Sequence, residues 1–476
     1  MTKDRVFDVV VVGAGVVGAG IVRELSKYDL KVALVDKQPD VGDGTSKGNS
    51  AIMHTGFDAK PGTLESQMVR EGSVLFRTEV APALNIPFEE TGAMLVARTD
   101  DEFAQIPKIL EKARENKITD VRQLTSDEMY GLEPHLAQGV KGGVLIPKES
   151  ITCPFTPPLA YVTQAVVNGA KLFLNTEVTG VRFVDGVHDI ATTNGQITTR
   201  YVINSSGLFS DRVEGFMGFD NYKINPRKGE FIVYDKFARR LVKHILLQVP
   251  TPHTKGILIS PTIFGNVLLG PTADDHDDVN DTSTSREGLM RIQKQGSGLL
   301  PGLIGNEDIT TTYAGNRSAT QFAEYQVFFR GEKNWVTVGG IRSTGLSASL
   351  ALARHVVEGM RGLGLALSQK REFKNIRMPE VSEFRARPYQ CPDTIRGNQR
   401  YGHIVCFCEK VSEQEIRDAL GGVIPAANLS AVKRRTRAAM GRCQGFNCMP
   451  VVMRMIAEAR GMSVKQMYES GVQNGI

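Results

Sequence analysis

The sequence predicts an α/β fold of parallel strands and helices, interrupted by an antiparallel-sheet domain and followed by a small, mostly α C-terminal unit. Three observations carry the prediction. The chain opens as a β-branched run, a glycine-rich turn and a helical stretch. Strand–glycine turn–helix patterns return far downstream, at 200–213 and 335–360. Four of the six cysteines then fall between positions 406 and 448, beyond a polar stretch containing Pro379, Pro388 and Pro392.

Phe7–Val12 reads as a buried parallel strand, because its apolar residues run on without alternating. Gly13, Gly15 and Gly18 follow at the spacing of a dinucleotide turn. The first permits the turn, the second lets a pyrophosphate approach the backbone, and the third lets helix and strand pack closely. Residues 16–28 have helical spacing, and their first amides would face the phosphates. Lys31–Asp36 is a second strand that ends on an acid suited to a ribose hydroxyl. Segments 88–97, 142–147, 172–185 and 230–235 read as strands of a separate antiparallel sheet, with polar helices near 63–82 and 101–117 between some of them. The stretch 372–400 reads as a linker.

Composition narrows the class. Of the 476 residues, 41% are apolar and 23% charged, which is ordinary for a packed globular chain, and the length calls for more than one core. A net charge of +5 is too mild and dispersed for nucleic acid, but suits an anionic cofactor and a small anionic substrate. No stretch approaches the roughly 20 apolar residues of a bilayer span, and the N-terminus lacks a signal-peptide layout. The expected location is cytoplasmic, with peripheral attachment at the inner face of a membrane left open.

The cofactor is read from the two returns. Thr45, Ser46, Asn49 and Ser50 offer small donors soon after the second strand. The 203–211 segment (INSSGLFSD) resembles the flavoprotein strand whose turn runs near the pyrophosphate, and 338–347 (VGGIRSTGLS) resembles the helix start near the isoalloxazine. With NSAIMHTG (49–56), PGTLE (61–65), PRKGEF (226–231) and HTKGILISPTIFGNVLLGPT (253–272), residues 1–365 resemble the glycine-oxidase/D-amino-acid-oxidase superfamily of FAD enzymes. Within it they look like the glycerol-3-phosphate oxidases and dehydrogenases and the related 2-hydroxyglutarate oxidases. The resemblance implies an α/β FAD-binding dinucleotide fold with an inserted antiparallel-sheet substrate domain. The expected cofactor contacts are Gly13, Gly15, Gly18, Asp36, Thr45, Ser46, Asn49, Ser50, Val178, Ser206, Gly207, Gly340, Arg342, Gly345, Leu346 and Ser347.

His54 follows the TSKGNS run and is the expected base, since a neutral imidazole can take an alcohol proton while hydride passes to flavin N5. The plainer alternative is a histidine that only hydrogen-bonds the cofactor. Lys255, Arg317 and Arg342 are the expected anion clamp, and Ser343 matches a family position that touches substrate but could equally cap a helix. The acidic run Asp274, Asp275, His276, Asp277, Asp278 reads as a solvated loop, because consecutive residues rarely converge on one ion.

Cys406, Cys408, Cys443 and Cys448 form two close pairs, a spacing open to zinc or to a 2Fe-2S cluster. Residues 401–465 resemble the bacterioferritin-associated-ferredoxin-like 2Fe-2S domain, and a flavin dehydrogenase has a use for a one-electron relay. The basic run Lys433, Arg434, Arg435, Arg437 and Arg442 would offset cluster charge or meet a partner; Cys153 and Cys391 read as non-ligands. The expected layout is an oxidoreductase over 1–370, a linker over 371–400 and a 2Fe-2S domain over 401–476. Within 1–370 the dinucleotide fold takes 1–75, 150–215 and 330–368, and the substrate domain 76–149 and 216–329. The expected reaction oxidises a secondary alcohol, best glycerol 3-phosphate to dihydroxyacetone phosphate, with a 2-hydroxy acid or amino acid as rival substrates. The electrons would leave to an acceptor subunit or quinone path. A non-catalytic electron-transfer subunit is the rival from another class.

Overall fold

The computed structural model describes residues 6–250, 256–303 and 308–469. Its first sheet is parallel at the centre, in the spatial order Lys171–Phe173, Val32–Val35, Val6–Val12, Gly195–Asn204, Trp335–Gly339. Gln326–Arg330 closes one edge antiparallel, and a meander of Val178–Val184 and Val187–Thr192 leads into Gly195–Asn204. Val9, Val10 and Val11 are wholly buried because both faces of this sheet are covered, one by helices Val16–Leu25, Thr156–Val167 and Gly345–Gly362, the other by Val178, Val181 and Ile190 of the meander and Val213 of helix Ser210–Gly215. Helix Val16–Leu25 lies between helices Thr156–Val167 and Gly345–Gly362. The segment 172–185, expected in the other sheet, therefore belongs here. Its local pattern cannot say which sheet takes it, because only the strand it pairs with decides that.

The second sheet has nine strands, with Arg227–Tyr234 and Ile309–Arg317 paired antiparallel over most of their length. Ala93–Ala97 joins it, whereas Phe88–Glu89 goes to a small three-stranded sheet with Ile52–Met53 and Ser150–Thr152. The sheets meet where Gly48 lies against Gly315. A Cβ on Gly315 would fall 1.9 Å from the Gly48 carbonyl oxygen, so only glycine permits that approach. No described helix is long and apolar enough to cross a membrane.

The C-terminal unit has its own core, centred on Val411, Ile416, Val432, Val452 and Ile456. Helix Glu413–Gly421 begins at a capping box in which Ser412 and Glu415 satisfy each other's backbone amides. Helices Leu429–Thr436, Met449–Ala459 and Val464–Glu469 follow.

Residues 374–383 are irregular in conformation, yet they are pinned to the body. Lys374 N–H donates to Asn168 Oδ1, Met378 N–H to the Leu84 carbonyl and Glu383 N–H to the Ile263 carbonyl. This part of the stretch read as a linker is a strap, because its apolar residues Ile376, Met378 and Val381 pack against the cores of the two large sheets, whereas residues 388–401 form three short helices. Beyond it the C-terminal unit docks through buried ion pairs. Arg434 reaches Asp40 and Asp43 at 2.7 and 2.9 Å, and Arg435 grips both oxygens of Asp40 at 2.7 Å. Arg437 lies 3.9 Å over the Phe264 ring. The basic run thus meets the body of the same chain.

Candidate functional site

A long cavity runs from Asp36, past Gly13, Gly15, Ser206 and Gly207, to His54, Arg317 and Gly340. The N-termini of two helices open on it, at Val16 and at Gly345–Leu346, and neither has a side-chain cap. The Val16 N–H donates to Ser46 Oγ at 2.9 Å, and the helix dipoles make that wall attractive to phosphate. A Cβ on Gly207 would meet nothing within 4 Å, and one on Gly15 only the Ser46 hydroxyl, so both leave backbone open to a ligand. An elongated cleft with an anion-seeking middle and a polar end fits an extended dinucleotide ending in a ring system.

Of the expected cofactor residues, Gly13, Gly15, Asp36, Thr45, Ser46, Asn49, Ser50, Val178, Ser206, Gly207, Gly340, Arg342, Gly345 and Leu346 line this cavity. Gly18 and Ser347 do not. Gly18 packs against the Gly13 carbonyl, where a Cβ would sit 1.9 Å away, and Ser347 Oγ accepts from the His54 backbone N–H at 2.8 Å. Asp36 is committed in part, since it accepts from Ala14 N–H at 2.5 Å and Gln38 N–H at 2.8 Å. Burial outweighs those bonds and raises its pKa.

His54 opens on the cavity, and its Nδ1 lies 2.9 Å from Glu149 Oε2. Glu149 is fully buried, and its other oxygen accepts from the Thr55 N–H and hydroxyl at 2.7 and 2.9 Å. Nδ1 is thereby assigned as the donor, which leaves Nε2 as an acceptor. Burial lowers the imidazole pKa, but the Glu149 charge and hydrogen bond together outweigh it and raise the pKa. Nothing local in the sequence marks Glu149. The antiparallel register that sets Met53 opposite Ser150 brings it beside His54.

Arg317 stands directly across the sheet from Arg227 and next to Ser318, which bridges to Arg342. Arg227 is held by Asp275 at 2.6 and 2.8 Å, whereas Arg317 has a single long bond to the Thr272 carbonyl, 3.4 Å. Among the described residues no carboxylate forms an ion pair with Arg317. Burial, then the charges of Arg227 and Arg342, pull its pKa down to about 10, so it stays cationic at neutral pH. Ser343 lines the same cavity. Lys255 lies outside the described residues, as does His253. In the acidic run, Asp274 and Asp275 are exposed as expected but engaged, with Arg291 and Arg227.

In the C-terminal unit Cys406 ends the strand Ile404–Cys406, and Cys448 sits at the start of helix Met449–Ala459. Their sulfurs are hydrogen-bond neighbours, as are those of Cys408 and Cys443. Backbone amides of Glu409 and Ala439 point at Cys406, and those of Gly445 and Asn447 at Cys443. Among the described residues no three His, Cys, Asp or Glu side chains close on a single ion. Two thiol pairs with amide donors suit a two-iron centre with one pair per iron.

Comparison with known proteins agrees with this geometry. Residues 8–359 match the family described as FAD dependent oxidoreductase, and 404–458 match the BFD-like [2Fe-2S] binding domain. A glycerol 3-phosphate dehydrogenase of Caloramator mitchellensis is 34% identical over 97% of this chain and 96% of its own length. A glycerol 3-phosphate oxidase of Mycoplasma pneumoniae is 28% identical over 76% of this chain and 96% of its own. A solved structure of dithionite-reduced L-alpha-glycerophosphate oxidase from Mycoplasma pneumoniae, with FAD bound, superposes with a TM-score of 0.75. It covers 79% of this chain and 100% of that one, at 26% identity.

Proposed function

The chain belongs to the FAD dependent oxidoreductase family, with a 2Fe-2S-binding domain behind the flavin domain, and from that premise we propose that it oxidises glycerol 3-phosphate to dihydroxyacetone phosphate. FAD supplies the two-electron acceptor for the alcohol, and the 2Fe-2S cluster a one-electron exit toward an acceptor subunit or quinone path. Gly13, Gly15, Thr45, Ser46 and Gly207 hold the flavin, and the four cysteines hold the cluster.

The observation that carries the substrate reading is Arg317, a half-buried guanidinium without a carboxylate, opening on the same cavity as His54. A partly desolvated cation facing two like charges is costly until an anion arrives. A phosphate of charge near −2 answers it better than a neutral polyol. Arg317 and Arg342 hold the phosphate, Ser343 adds a hydroxyl, and Lys255, in HTKG, is assigned to the same group. His54 Nε2 takes the proton of the secondary hydroxyl, and Glu149 stabilises the imidazolium that results. The names of the relatives point to the same substrate.

The test is anaerobic stopped-flow bleaching of the flavin with glycerol 3-phosphate, 2-hydroxyglutarate, glycine and glycerol. Rapid reduction by glycerol 3-phosphate alone is the expected result. Faster reduction by 2-hydroxyglutarate, or none by the phosphate ester, would overturn the reading.

A further inference from the structure

We propose that a basic, phenylalanine-bearing patch spanning both domains over the cysteine loops is the docking surface for an acidic one-electron carrier protein, the exit this electron path requires. The proposal rests on the electron-exit reading above and adds where the carrier sits and what its surface carries.

Exposed apolar side chains that cluster within a polar rim mark an interaction surface. Here three phenylalanines stand exposed on three adjoining segments: Phe407 at 72%, Phe446 at 85% and Phe237 at 67%. Phe407 lies between Cys406 and Cys408, and Phe446 between Cys443 and Cys448, so both sit on the loops that hold the cluster. Phe237 belongs to the flavin domain's short helix Lys236–Leu241. The segments are neighbours in space. Arg442 lies 5.9 Å from the Phe237 ring centroid, Lys236 reaches Glu409 at 3.3 Å, and Cys408 touches Cys443.

Their charge is mainly of one sign. Residues 236–241, 407–410 and 442–447 hold Lys236, Arg239, Arg240, Lys410 and Arg442, and their one carboxylate, Glu409, is buried and paired with Lys236 and Arg437. Glu383, Glu89 and Asp235 lie at 2.6, 3.8 and 4.0 Å from Lys236, Arg239 and Arg442, so Arg240 and Lys410 are the cations of the patch with no carboxylate partner among the described residues. An apolar centre rimmed by cations fits a partner with an apolar centre rimmed by carboxylates. A lipid surface holding a quinone would meet the same charge, and the vesicle arm of the test separates it; a protein carrier fits a cluster that passes one electron at a time, and the phenylalanines stand where that electron would leave. Oxidising one secondary alcohol releases two electrons and two protons. Two carrier molecules are therefore each reduced by one electron, and the protons pass to solvent.

The test uses the FAD- and cluster-loaded enzyme with the soluble domain of cytochrome b5, an acidic carrier, and cytochrome c, a basic one. Binding to the oxidised enzyme is measured by calorimetry across a salt series, so the readout does not depend on turnover. The acidic carrier should bind, and more weakly as salt rises. Phe446→Ser and Phe237→Ser should each weaken it at least about tenfold, with iron content and ferricyanide turnover unchanged. Phe237→Ser leaves the cysteine loops untouched, so cluster loss cannot account for its effect. Arg240→Glu should weaken binding and flatten the salt dependence. Equal binding of the basic carrier, or unchanged affinity in both phenylalanine variants, would overturn the proposal. So would variants that keep carrier binding but no longer sediment with phosphatidylserine vesicles, since the patch would then be a membrane contact. If glycerol 3-phosphate fails to bleach the flavin while the carrier still binds in this pattern, the substrate reading falls and the docking surface stands.

Discussion

Asp40 is where the two halves of the chain are fastened, and Asp40→Asn tests how firmly. Its side chain is 1% exposed and accepts three charge-assisted bonds of 2.7 Å, one from Arg434 and two from Arg435. After the change Arg434 keeps Asp43 at 2.9 Å and the Ser430 hydroxyl at 2.6 Å. Arg435 keeps only the carbonyls of Ala431 and Ile424, both at 3.2 Å. A buried guanidinium is then left without an anion, and the new amide turns an N–H toward one of the two cations. Breaking such a pair costs about 3–5 kcal/mol. The C-terminal unit, with its own core, should stay folded but loosen from the body. Hydrogen exchange should therefore rise in helix Leu429–Thr436 and in residues 38–44, while the parallel sheet keeps its protection. Lys47→Ala is the control: Lys47 also pairs with Asp43, but it is exposed, so its loss should cost about 0–1 kcal/mol. Acid should mimic the variant. Burial pushes the Asp40 pKa up, but the two guanidiniums outweigh it and hold it below the ordinary 3.8. The stabilisation is thus present above about pH 4 and lost as pH falls through the folded value, a limb the Asn variant should lack. Unchanged exchange at helix Leu429–Thr436, with an intact acid limb, would refute the argument.

Three further outcomes are expected. Arg317→Ala should lower flavin reduction at limiting glycerol 3-phosphate by roughly ten- to a hundredfold, the worth of a charge-assisted hydrogen bond, with FAD content unchanged in the denatured protein's absorbance. Glu149→Gln should cut the maximal reduction rate by a similar factor, and stopped-flow pH profiles should show its rising limb displaced to lower pH. Because the folded His54 pKa is raised, the stabilisation from this pair is complete below about pH 6.5 and lost as pH rises through the folded value. An unchanged profile would leave Glu149 a purely structural carboxylate. Cys443→Ser should remove the cluster's visible absorbance and about two irons per chain, and leave substrate bleaching of the flavin within about twofold of wild type; one zinc and no iron in the unmutated protein would refute the assignment.

Much of this protein was legible in its residues, because much of it is local. A β-branched run, the Gly13–Gly18 turn and an acid at Asp36 need only a strand, a turn and a helix to say what they bind, and the matched family covers that segment. The cysteine spacing is equally local, since Cys406 and Cys408 share one loop and Cys443 and Cys448 another, but the sulfurs pair across the two loops, Cys406 with Cys448 and Cys408 with Cys443, which the spacing did not say. His54 and Arg317 could be singled out from their neighbourhoods, and both open on one cavity. What the sequence left undetermined depends on which strand lies beside which. The partner of His54 is 95 positions away and is chosen by the Met53–Ser150 register. The isolation of Arg317 follows from the strand register that sets Arg227, and no carboxylate, opposite it. The strands at 172–185 could not be assigned to a sheet from their pattern, because an apolar strand satisfies either one. The stretch 372–400 reads as a linker by composition, yet its 374–383 part is pinned to the body as a strap, and the basic run after Asn428 finds its anions at Asp40 and Asp43, nearly four hundred positions upstream. Propensity and motif act over a few residues, whereas pairing, desolvation and charge neutralisation act between whatever surfaces the fold brings together.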